Sequence, residues 1–130
     1  MVNIAVVSTW IVIVTLALVS LFQIALIAGA PMGEYAFGGQ NPGKLPAKFR
    51  IGSVFTLAIY VGIIGHLLAQ LGILPKMLPV GLNSVANWAI FGLNLLGLLM
   101  NAISRSKKER NMWVPVLLLS VVLSIIVALG

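Results

Sequence analysis

Four stretches of this chain run for about 20 residues or more, the length that spans a bilayer as helix, without one charged side chain: residues 2–30, 51–75, 79–104 and 112–130. They are continuously apolar rather than alternating, which fits helices and not the strands of a membrane barrel. Charged residues make up 8% of the sequence, where a soluble domain carries about 25%. Such a chain has no means of covering a water-facing surface. The expected fold is therefore all-α, a single transmembrane domain over residues 1–130 forming an antiparallel four-helix bundle. The short connection from Pro75 to Pro79 predicts helices two and three as a close hairpin.

The residue inventory excludes most chemistry. Cysteine and aspartate are absent, the only acids are Glu34 and Glu109, and His66 is the only histidine. No disulfide framework, metal site, cofactor or catalytic residue is implied. Neither glycine-rich phosphate signature, G-x-x-x-x-G-K-[ST] or G-x-G-x-x-G, occurs. The net charge of +6 does not point to nucleic acid, because the basic residues flank the apolar spans.

Their distribution sets a topology. Lys44, Lys48 and Arg50 follow the first span, Arg105, Lys107, Lys108 and Arg110 follow the third, and only Lys76 follows the second. The positive-inside rule places segments 31–50 and 105–111 in the cytoplasm and both termini outside, in a multi-pass protein of the cytoplasmic membrane. The seven clustered cations are candidates for binding anionic lipid headgroups. The first span ends in "AGA", which imitates a signal-peptide cleavage site. Its length and the lack of a positive leader read instead as a retained helix.

Two helix faces carry pattern. On helix two, Ala58, Gly62, Gly65, Ala69 and Gly72 recur at helical spacing, a stripe on which another helix can pack closely. On helix three, Asn83, Asn87, Asn94 and Asn101, with Gly97 and Ser104, form a polar stripe that must face protein or water. His66 and Gln70 lie one turn apart beside the small-residue stripe. Ionisable groups at membrane depth are functional suspects, with a hydrogen bond to a helix-three asparagine as the plain structural alternative. Trp10, Trp88 and Trp113 sit near helix ends, as interfacial anchors do. Pro115 falls in the first turn of helix four, where proline is tolerated.

The segment from Gly29 to Arg50 breaks the apolar monotony with five glycines and three prolines. Apolar Met32, Tyr35, Phe37, Leu45 and Phe49 are interleaved with this turn chemistry, so it should be an ordered loop packed at the membrane face. Glu34, next to Tyr35, is expected to salt-bridge Arg50 or the "RSKKER" segment, with cation or proton binding as the alternative.

Taken together, "GAPMGEYAFGG…LP…R…S" after the first span and "NAISRSKKER…W.P" before the last resemble a group of uncharacterised small four-helix bacterial integral membrane proteins. The resemblance implies a bacterial cytoplasmic membrane and this same layout. It carries no activity.

Function is expected to be binding of a lipid, an apolar small molecule or a partner helix. Ligand candidates are Glu34, Tyr35, His66, Gln70, Asn87, Asn94 and Asn101. A small oligomeric transporter or channel using His66, Gln70 and Glu34 is the rival, and a membrane enzyme built on Glu34, Tyr35 and Arg50 comes third. Membrane lipids are the expected partners, and a homodimer is compatible with the limited interior of four helices.

Overall fold

A computed structural model describes residues 3–130, and the predicted helix start at residue 2 lies outside them. The chain is all-helical: α1 (Ile4–Ile27), α2 (Ala47–Gln70), α3 (Val80–Ala102) and α4 (Lys107–Leu129), with two 3₁₀ turns, Gly33–Tyr35 and Phe37–Gly39, between α1 and α2. At 1.5 Å per residue each helix is about 35 Å long, enough to cross a membrane. All four are apolar enough to do so. The protein is a four-helix, multi-pass membrane protein.

The helix ends differ from the expected boundaries for local reasons. The "AGA" of residues 28–30 ends α1 instead of continuing it. Gly29 adopts φ +96°, and the Ala30 N–H donates to the Ala25 carbonyl at 2.9 Å, the bonding that closes a helix with a left-handed residue. Gly72 does the same for α2, with φ +81° and Ile73 N–H donating to Leu68 at 3.0 Å. Gly72 thus terminates α2.

In the other direction, charges do not break helices at their first turns. α2 starts four residues before the expected position, after Pro46, and takes Lys48 and Arg50 into its first turn. α4 starts at Lys107 because Ser106 Oγ accepts from the Glu109 N–H at 3.2 Å, an N-cap of the S-x-x-E type. Pro115 consequently lies inside α4 and not in its first turn. It leaves the Asn111 carbonyl without its usual helical donor.

The helices pack in the order α2, α1, α4, α3, each against the next, while α2 and α3 make almost no backbone contact. The expected close hairpin of helices two and three is therefore corrected. Their connection begins at Leu71, not Pro75, and it is long enough to leave the two helices apart. Among the described residues no helix packs along the small-residue stripe as a whole, although a side chain added at Gly65 would meet Met77. Ala58 and Gly62 are exposed, and no atom lies within 4 Å of a side chain added at Gly62. Only Ala69 is buried.

Apolar packing is divided between the two ends. Val12, Ile13, Leu16, Leu67, Ile90 and Val127 form a core toward the end away from the basic residues. Leu26, Ala36 and Leu45 form a second one under the long loop. Large side chains such as Leu18, Phe55 and Val85 point outward with more than 60% of their surface exposed. Water would penalise such an exterior and lipid does not.

Candidate functional site

Between the two cores, in the half of the bundle nearer the basic residues, lies a cavity of about 650 Å³. All four helices and the long loop contribute walls, including Thr15, Phe22 and Gln23 from α1, Thr56 and Tyr60 from α2, and Asn94 and Asn101 from α3. α4 adds Glu109, Trp113, Leu117 and Ser120, and the loop adds residues Tyr35 to Gly38 and Gln40. The volume is in the range of small-molecule sites, about 300–1,000 Å³.

The loop forms the end wall because it is docked on the first turns of α4. Ser106 Oγ donates to the Glu34 carbonyl at 2.6 Å. Gly38 N–H donates to Glu109 Oε2 at 3.1 Å, and Trp113 Nε1 donates to the Tyr35 carbonyl at 2.7 Å. The glycines permit this fit. Gly38 and Gly39 adopt φ +73° and +71°, and a Cβ on Gly39 would lie 2.4 Å from Ser106 Cβ. Trp113 also meets Phe22 edge to face, ring centroids 4.8 Å apart. It is therefore an inward wall of the cavity, which corrects its reading as an interfacial anchor. Trp10 and Trp88 are exposed, as anchors are.

Glu109 is the feature that sequence reasoning missed. It is 5% exposed and makes no ion pair among the described residues. Glu34, singled out from the sequence, is half-exposed and pairs with Lys108 of the "RSKKER" segment. The signal for Glu109 was present in "SKKE": starting α4 at that cap puts Glu109 and Trp113 one turn apart on one face.

The asparagine stripe does face inward, but its members serve different ends. Asn94 Nδ2 reaches Ser124 Oγ on α4 at 3.3 Å, and Asn101 bonds back to the Gly97 carbonyl at 2.7 Å. Both border the cavity. Asn87 joins His66 and Gln70 in a separate cluster. Gln70 Nε2 lies 2.5 Å from His66 Nε2 and 2.6 Å from Asn87 Oδ1, and Asn87 Nδ2 donates to Gln70 Oε1 at 3.1 Å. His66 Nε2 also lies 3.1 Å from Asn87 Oδ1, so by its tautomer the ring either donates there or accepts from Gln70. This cluster is the one polar bridge described between α2 and α3. It lies near the far end of α2, nineteen residues or about 28 Å of helix beyond Ala47. His66 and Gln70 are thus not brought together with Glu34 or Tyr35.

The seven headgroup candidates also divide. The Arg50 guanidinium donates twice to the Ile27 carbonyl, at 2.9 and 2.6 Å, and so caps the last turn of α1. Arg110 donates to the Ser104 carbonyl just past α3. Lys108 holds Glu34. Lys44, Lys48, Arg105 and Lys107 remain exposed. Among the described residues no group of three or more metal-ligating side chains occurs.

Fold and cavity define the class: a four-helix multi-pass membrane protein with a partly polar chamber inside one half of its bundle. The chain matches no protein-family model, no curated protein and no solved structure.

Proposed function

We propose that this protein is a binding protein of a bacterial cytoplasmic membrane, and that its chamber holds a membrane-soluble small molecule or a lipid. The observation that carries this reading is the cavity of about 650 Å³ between the helices. Interiors normally pack to crystal-like density, so a void of this size with an amide, hydroxyl and carboxylate lining suits an occupant with both apolar and polar parts. Access from the lipid side is between α2 and α3, whose backbones stay apart and whose side-chain bridge lies at the far end, at His66, Gln70 and Asn87. The basic end faces the cytoplasm, and Lys44, Lys48, Arg105 and Lys107 contact anionic headgroups there.

Native mass spectrometry of protein taken gently from its membrane tests the reading. Wild type should carry a stoichiometric extra mass, and Leu117→Trp, which intrudes on the chamber from α4, should carry less of it. A bare wild type that also takes up no added lipid or small amphiphile in a saturable way would overturn it.

A further inference from the structure

Resting on that binding reading, we infer that the chamber selects an amphiphile whose polar end is a protonated amine, held against Glu109. The chain has eight lysines and arginines and two acids, yet the single charged residue among the cavity walls is an acid. Every basic side chain of that end is turned outward or bonded to a helix-end carbonyl. An anionic headgroup inside would meet Glu109 and no cation.

Glu109 itself is an incompletely matched group. The residue is 5% exposed and lines the cavity, and one oxygen, Oε2, accepts from Gly38 N–H at 3.1 Å. No hydrogen bond or ion pair to Oε1 occurs among the described residues. The α4 N-terminus favours a negative charge at this position, but a carboxylate out of water is costly without a cation beside it. Gln23 provides a second, independent sign: it is a wall residue whose Oε1 is buried behind the cavity surface with no hydrogen-bond partner, so a turn of the amide would offer it to an occupant. A buried acceptor left unmatched is costly: Gln23 Oε1 has no donor, and of the Glu109 oxygens only Oε2 has one, the Gly38 N–H.

The remaining walls suit such a head. Phe22, Tyr35, Phe37, Tyr60 and Trp113 are half of the ten aromatic residues of the chain, and aromatic faces attract cations. An ammonium with N–H bonds supplies a donor to Glu109, and a second to Gln23 once its amide turns toward the chamber, while an alkyl chain fills the apolar remainder. The basic rim repels cations arriving from water, so the open α2–α3 side is the route in.

The test uses the full chain in phosphatidylcholine nanodiscs near neutral pH, with Trp10 and Trp88 changed to Phe so that Trp113 alone reports. Dodecylamine, 1-dodecanol and dodecanoate are titrated in turn, and saturable quenching gives each affinity. Dodecylamine should bind at least about tenfold tighter than dodecanol, the ratio one charge-assisted hydrogen bond supplies, and dodecanoate should bind weakest. E109Q, which keeps an acceptor oxygen for Gly38, should bring the amine to within about twofold of the alcohol. The wild-type comparison needs no variant to fold. Saturable dodecanol binding with no preference for the amine, or a preference that survives E109Q, overturns the amine inference and leaves the chamber as an apolar site. Saturable binding of none of the three overturns both readings.

Discussion

Replacing Gly33 by alanine tests the docked loop more sharply than any other single change. A Cβ at Gly33 would lie 1.9 Å from the Asn41 carbonyl oxygen and 2.7 Å from that of Gly43. Both neighbours are backbone, so they cannot swing aside as a side chain does. Relief requires the loop to open by more than about 1 Å, which strains the Gly33 N–H bond to Gly43, now 2.8 Å. Overpacking of this kind costs about 1–3 kcal/mol. Each of the three bonds that dock the loop on α4 adds about 0.5–1.5 kcal/mol if it is lost. The expected total is a loss of about 2–4 kcal/mol. Reversible unfolding in mixed micelles measures it, and trypsin should cut after Lys44 much faster than in wild type. Gly43→Ala is the control. Gly43 has φ +81° but no atom near its added Cβ, so only the left-handed backbone penalty of about 1–2 kcal/mol applies. Equal losses in the two variants, or a Gly33→Ala protein as trypsin-resistant as wild type, would refute the steric argument.

Other substitutions separate the remaining contacts. Asn87→Ala removes a shared partner of His66 and Gln70 and should cost about 1–3 kcal/mol in the same unfolding assay. Asn101→Ala, whose amide bonds only within its own helix, should stay within about 0.5 kcal/mol. Arg50→Lys should destabilise by about 1 kcal/mol despite keeping the charge, because one ammonium does not reproduce the two guanidinium donors on Ile27. Ser106→Ala loses both the α4 cap and the bond to the Glu34 carbonyl and should cost about 1–2 kcal/mol. Lys108→Ala, which breaks the exposed pair with Glu34, should leave the unfolding midpoint almost unchanged, and any difference should vanish in high salt.

The spans were legible because lipid imposes a single strong rule, length of uncharged chain, and tertiary detail hardly modifies it. Helix ends were less so. Charge was a poor guide to them, since a helix entering the interface carries Lys107 or Arg50 in its first turn at little cost. The caps, Gly29, Gly72 and Ser106, were the better signals, because backbone groups near lipid must find partners. Neighbour relations were the least legible. A stripe of small residues records that a helix can be approached, not that another helix of the same chain approaches it, and Gly62 shows the difference. The inward turn of the asparagines followed from the cost of a bare amide in lipid. Which partner each one found depended on inter-helix geometry that spacing does not encode. Glu109 was hidden among four cations and passed as part of a solvated run.

The docking of the loop has a consequence for the order in which the protein is made. Residues 34–38 take their places through Ser106, Glu109 and Trp113, partners 71 to 78 positions later in the chain. α1 likewise packs against α4, which is synthesised after the other three helices. During translation the first three spans therefore emerge with the loop unanchored, and α1 waits with one flank exposed to lipid. Only the arrival of α4 supplies the missing surface, so the chamber is completed in one late step rather than built up span by span. A ribosome stalled before residue 105 would leave three inserted helices without the compartment that they are meant to enclose.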